Sequence, residues 1–398
     1  MSLHDIDASP APGNFALFNL GFRPFFLAAG AFAVLAMLLW MAATMFGWPL
    51  QAFGAAPTWH AHEMIFGYTL AVIAGFLLTA VKNWTGIQTP HGLPLAMMFL
   101  LWLAARLLPF IEAISLLSVA IVDGLFLLLL MTSVAQPILK TRQWQHLGIL
   151  AILSLLLLSN LIFYAGLLGH IENGVFIGLY SGLYLIMGLI FLMGRRVIPF
   201  FIEKGVDDTV SLTNYKWLDI SSPVIFVGFW FADLFVAEPL LVTLLAALLF
   251  LLHAIRLYAW HTPGIWRKPL LWVLYLAYAA LTLGFLLKAL VPLTGLSAFI
   301  PLHAFAVGGI GVMTLGMMSR VALGHTGRNV FAPPPLLGVS FVLLFAAGVA
   351  RVLLPLLAPG QYLLWVGLSQ TLWVLAFALF MVVFLPILWQ PRVDGRFG

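Results

Sequence analysis

Between residues 22 and 389 one apolar run follows another, each about as long as the roughly 20 residues that a helix needs to cross a bilayer. Unpaired backbone groups cannot be left in hydrocarbon, so such runs fold there as helices. Breaks marked by Pro, Gly and charge place them at 22–46, 60–81, 91–108, 111–135, 146–168 and 174–198. The second half adds 216–236, 239–259, 269–291, 297–321, 335–357 and 361–389. The pattern predicts an all-α polytopic membrane protein of about twelve transmembrane helices. Only 8% of the residues are charged, against about 25% in an ordinary soluble domain, which excludes a water-soluble fold.

Lys and Arg collect in short cytoplasmic loops. With the N-terminus inside, fifteen of the 18 basic residues fall on the cytoplasmic side. The other three, Arg106, Lys288 and Arg351, lie near outer helix ends, where their stems are expected to snorkel. Both termini are therefore expected to be cytoplasmic, with tails at 1–21 and 390–398 around one transmembrane domain at 22–389. The first 21 residues have no basic stretch, apolar run and cleavage site in series, so no signal peptide is read. A polar loop at 195–214 is expected to part six helices from six, yet no motif of one half answers one of the other. Gly178 and Gly182 are read as close helix packing. The net charge of +5 forms no stripe, so no nucleic-acid partner is expected.

The chain has no Cys, which excludes thiolate sites and leaves His, Met, carboxylate or backbone ligands for any metal. Topology sorts the ten histidines by depth. His60 and His62, in W-H-A-H-E-M at 59–64, start the second helix at its outer end; His303 lies about two turns into the tenth, roughly 9 Å below the same boundary. Glu63 adds a carboxylate to this layer. Three imidazoles and a carboxylate suit copper, iron or zinc, and the alternative for each is a histidine that merely bonds a carbonyl. In a regular helix His60 and His62 diverge by about 200°, so they share a metal only if His60 sits in the preceding turn; otherwise they serve two centres.

An inner layer holds His253, with Arg256 three residues on, and the segment containing Arg320, His325 and Arg328. His303 and His325 are 22 residues apart, about 33 Å along a helix, so two sites are implied. Haem needs an axial His and cations for its propionates. His253 with Arg23, Arg195, Arg196, Arg256 and Arg320 offers both, although topology alone accounts for most of these arginines. Asp123 stands inside an apolar run, as a proton carrier or as a protonated interhelical bond. Asn160 and Tyr164 share a helix face. Met313, Met317 and Met318 are thioethers for Cu(I) or gap fillers.

Six stretches together resemble the NnrS family, bacterial membrane proteins associated with nitric oxide metabolism. They are G-F-R-P-F-F at 21–26, W-H-A-H-E-M, G-F-L-L-T-A-V-K-N-W-T-G at 75–86, G-R-R-V-I-P at 194–199, H-A-I-R-L-Y from 253, and the run from His303 to G-H-T-G-R at 324–328. The resemblance implies haem b and copper, a bacterial cytoplasmic membrane location and a role in nitrosative stress. It carries over His60, His62, His253, His303 and His325, and leaves out His4, His91, His146, His170 and His261 in tails and loops. On this basis His60, His62 and His303 are the expected metal ligands, with Glu63 as proton donor. His253, His325, Arg23, Arg256 and Arg320 are the expected haem-binding set. The first functional expectation is a membrane oxidoreductase that consumes nitric oxide, with quinol or another electron donor as partner. A non-catalytic haem and copper protein and a transporter are the alternatives.

Overall fold

The computed structural model describes residues 15–207 and 209–398; most of the expected N-terminal tail lies outside the described residues. Among them are twelve helices long and apolar enough to cross a membrane, and no strand. They are α1 (Phe22–Phe46), α2 (Ala56–Thr85), α3 (Leu93–Phe110), α4 (Leu116–Lys140), α5 (Trp144–Leu167), α6 (Gly174–Val206), α7 (Lys216–Val236), α8 (Pro239–Trp260), α9 (Pro269–Thr294), α10 (Phe299–His325), α11 (Pro335–Leu357) and α12 (Pro359–Trp389). The protein is thus a multi-pass helical membrane protein. On α7 the stripe Ile220, Val224, Val227 and Phe231 points outward and is exposed, the reverse of a soluble helix and what lipid as solvent requires.

The backbone N–H of Ala16 donates to the carbonyl of Trp389 at 2.9 Å, so both chain ends meet on one face of the bundle, the terminal face. The face opposite is the distal face. At the centre stand α2 and α10, with 89% and 72% of their apolar windows buried, against 22% for the peripheral α7. The hydroxyls of Tyr68 and Thr314 join them at 2.6 Å. Gly178 acts as expected: a Cβ there would lie 2.6 Å from the Ser159 carbonyl, so its absence lets α6 press on α5.

The polar loop begins later than expected. The helix continues through Arg195 and Pro199 to Val206, because Ile198 and Ile202, one turn apart, bury their side chains in the core. Its polar groups find partners locally: Arg195 donates to the Asp219 carbonyl, and the Glu203 carboxylate accepts the Leu212 N–H at 2.9 Å.

Candidate functional site

The distal ends of α1, α2, α6, α10, α11 and α12 enclose a mostly apolar cavity of about 450 Å³. Two of the expected histidines face it, His60 from α2 and His303 from α10. The His60 ring stacks on Trp40, 4.5 Å between centroids and 9° from parallel. Its Nδ1 is buried with no hydrogen-bond partner among the described residues. His303 donates Nδ1–H to the Phe299 carbonyl one turn earlier, at 2.7 Å, which leaves Nε2 as the nitrogen with a lone pair to offer. Immediately after each histidine pair or histidine the helix widens into π-helical turns, Glu63–Thr69 in α2 and Ala304–Gly311 in α10. Such turns re-aim side chains within a helix and collect at functional sites.

The cavity also holds groups that the sequence reading did not assign to it. Arg351 turns inward instead of snorkelling; it packs over the Tyr362 ring and donates to its hydroxyl at 3.1 Å, with NH1 buried and unpartnered among the described residues. Gln370 donates to Thr44 at 3.0 Å and keeps an unpartnered buried Oε1. A cation near an outer helix end was the available signal for Arg351, and snorkelling explained it away.

His62 and Glu63 face elsewhere. Both are fully buried in an ion cluster on the other side of α2. His62 Nδ1 lies 3.0 Å from Glu63 Oε1, and Nε2 lies 3.0 Å from Asn160 Oδ1 and 3.5 Å from Asp123 Oδ2. Arg106, also expected to snorkel, donates to Glu63 at 3.0 Å and to Asp123. Asn160 and Tyr164, the pair predicted to share a face, donate to Asp123 Oδ2 at 2.9 and 3.1 Å. The Asn160 amide nitrogen is committed to Asp123, so its oxygen faces the imidazole, and both His62 nitrogens meet acceptors. Two carboxylates thus face one guanidinium and one imidazole. Gly67 makes room for it, since a Cβ there would lie 2.7 Å from Glu63 Oε2.

The expected outer metal site of His60, His62 and His303 is therefore not assembled. The two-residue spacing on one helix sends His60 to the cavity and His62 away from it. No group of three or more His, Cys, Asp or Glu able to hold a metal occurs among the described residues. Glu63 does not line the cavity, and its carboxylate is spent on Arg106 and His62.

The expected haem-binding set does not converge either. His253 is sealed between Phe191 and Phe285, with Nδ1 2.6 Å from the Tyr278 hydroxyl; its unpartnered Nε2 opens onto neither cavity described here. Arg256 pairs with Asp219 at 3.0 Å. Arg320 lies 3.8 Å over the Phe201 ring. Arg23 turns Nη1 to the end of α12, donating to the carbonyls of Ile387, Leu388 and Gln390 as a long-range helix cap, while its Nε and Nη2 are buried with no partner among the described residues.

His325 instead lines a second cavity of about 370 Å³ at the terminal face. With it are Asn83, Trp84, Arg196 and His146. His146, expected in a loop, lies in the first turn of α5 and is 6% exposed. Its depth, equal to that of His325, was the signal that could have found it.

Compared with known proteins, the chain matches a family model described as NnrS protein over residues 16–392. No curated protein matches it.

Proposed function

Since the chain belongs to the NnrS family, which links it to the nitric oxide response, we propose that it consumes nitric oxide at a haem held in the distal cavity, within the bacterial cytoplasmic membrane. The observation that carries this reading is the pair of imidazoles from two central helices facing one cavity, each with a nitrogen not spent on the protein. Haem b fits the donor set: His60 and His303 would hold its iron, and the free Nη1 of Arg351 would meet a propionate. Bound there, haem iron supplies a site for a neutral diatomic ligand and for electron transfer. Copper held by three histidines finds no such set among the described residues.

The protein's own contribution is orientation and exclusion. The Phe299 carbonyl fixes the tautomer and ring plane of His303, as outer partners do for metal-ligating histidines. The Trp40 stack does the same for the His60 plane. Leu179, Leu183, Ile186 and Val307 keep the wall apolar, which suits an uncharged substrate that partitions into lipid. With Glu63 locked in its ion cluster, proton delivery falls to the hydroxyls on the cavity wall, Tyr180 and Tyr362.

The test is made on detergent-purified protein: haem per chain, then nitric oxide loss at an electrode with reductant present. Loss over many equivalents is expected, with the haem absorbance reduced or shifted in both His60→Ala and His303→Ala and retained in His62→Ala. Unchanged haem content and spectra in the first two variants overturn the assignment. Haem with only stoichiometric uptake of nitric oxide replaces catalysis by binding, and intact protein without metal favours transport.

A further inference from the structure

The terminal-face cavity takes no part in the reaction proposed above, yet three sequence motifs that the distal site leaves unexplained meet there. Asn83 and Trp84 come from K-N-W-T-G, Arg196 from G-R-R-V-I-P, and His325 from G-H-T-G-R. The wall takes in α2 from Phe76 to Trp84, nine residues that end beside Thr85 and so place the cavity within about 14 Å of the terminal face.

Its chemistry is that of a donor-lined apolar slot. No carboxylate lines it among the described residues, so it is not built for a cation. The His146 ring is held flat against Trp84, 4.3 Å between centroids and 12° from parallel, and its Nδ1 is buried with no partner among the described residues. Leaving a fixed, buried polar atom unpaired is costly, which marks where a ligand's oxygen belongs. The Asn83 amide touches His325 Nε2 only at 3.4 Å, beyond the usual hydrogen-bond range, so a better acceptor can displace that contact. Phe200 lines the cavity and is exposed, so the slot reaches the surface of the bundle beside an apolar ring. A ligand matching all of this is flat, apolar in its body and carries ring oxygens.

We infer that this cavity binds the head group of a membrane-dissolved quinone or quinol, with His146 and Asn83 hydrogen-bonding its ring oxygens. Its use as an entry for electrons rests on the nitric oxide reading; the binding itself does not.

Binding is measured without nitric oxide or reductant, on detergent-purified protein freed of endogenous quinone. The probe is a benzoquinone with a ten-carbon tail, and bound quinone per chain is counted by equilibrium dialysis. Saturable binding near one per chain is expected. His146→Ala weakens it by about tenfold or more, the effect of one buried hydrogen bond and a lost stack. His146→Asn, which restores a donor close to the position of Nδ1, recovers most of the affinity. Ala80→Phe fills the slot and abolishes binding while haem content stays at the wild-type level. The proposal is overturned by uptake no greater than partition into detergent, or by equal affinity in wild type, His146→Ala and Ala80→Phe. Haem loss in His146→Ala with quinone uptake unchanged also overturns it and makes the cavity a metal site. Quinone binding can fail while nitric oxide loss with an artificial reductant persists, and the reverse, so the two readings fall separately.

Discussion

The distal cavity and the ion cluster beside it share the first turns of α2, and they differ in how their polar atoms are used. Around His62 the donors and acceptors close on one another: imidazole, two carboxylates, guanidinium, amide and phenol form one buried network. Around His60 and His303 both imidazoles are half-buried, and one nitrogen of His60, one of Arg351 and the Gln370 oxygen are themselves buried with no partner among the described residues. A satisfied network holds helices in place and has nothing left to offer a ligand. An unsatisfied set costs folding free energy unless something binds to it. Two histidines two residues apart thus support opposite roles, and an H-x-H motif on a helix is not by itself a metal site.

The comparison breaks most decisively at Arg106. Arg106→Ala leaves Glu63 and Asp123 facing each other without their cation, and removing one partner of a buried pair costs about 3–5 kcal/mol. Unfolding in detergent is expected to show that loss; a variant as stable as wild type would remove the cluster from its structural role. Gly67→Ala comes next, at about 1–3 kcal/mol, since the added methyl overlaps Glu63 and Phe32. His62→Ala is expected to cost a similar ~1–3 kcal/mol by removing the imidazole that bridges Glu63 and Asn160. Its haem absorbance should match wild type, and loss of haem in this variant alone would reverse the roles given to His60 and His62. His303→Ala should change the stability of the haem-free protein least of the four, by about 1 kcal/mol or less, while removing or shifting the haem signal.

An exposed ion pair sharpens the same contrast at its small end. Arg392 holds the Asp394 carboxyl well below the usual carboxylate range, and the tail is tied to α10 through Arg392 to the His325 carbonyl and Val393 to the Thr326 carbonyl. A carboxyl lowered in the folded state stabilises above its unfolded value and loses that contribution as pH falls through the folded value. Amide exchange at Val393 should therefore stay slow through the ordinary carboxylate range and quicken only well below it, with no change in global unfolding. Exposed pairs contribute little, so a fall in global stability over the same range would contradict this.

Much of this was legible in the sequence. The predicted bounds of α7 and α11 match the observed ones residue for residue. The depth argument placed His60 and His303 together, and helical spacing placed Asn160 and Tyr164 on one face toward a shared partner. It failed at charges near outer helix ends. Arg106 and Arg351 turn into the bundle, and Lys288 pairs with Asp233 at 2.7 Å, because each finds an acceptor on a neighbouring helix that no local pattern reveals. His146 was missed because a histidine at a helix start reads as a loop residue until the neighbouring helix ends are placed around it.

The sequence alone determined the twelve helices and their alternation, since hydrophobic length and charge placement are properties of consecutive residues, and lipid as solvent leaves the backbone little choice. Only the tertiary structure decided which polar groups meet. Trp40 and His60 of the first two helices share a cavity with His303, Arg351 and Gln370 of the last three, and the Gln370 to Thr44 bond spans 326 residues. Such meetings depend on helix rotation and on π-helical turns that re-aim side chains, and a shift of two positions along α2 is enough to turn a candidate ligand into a structural ion partner.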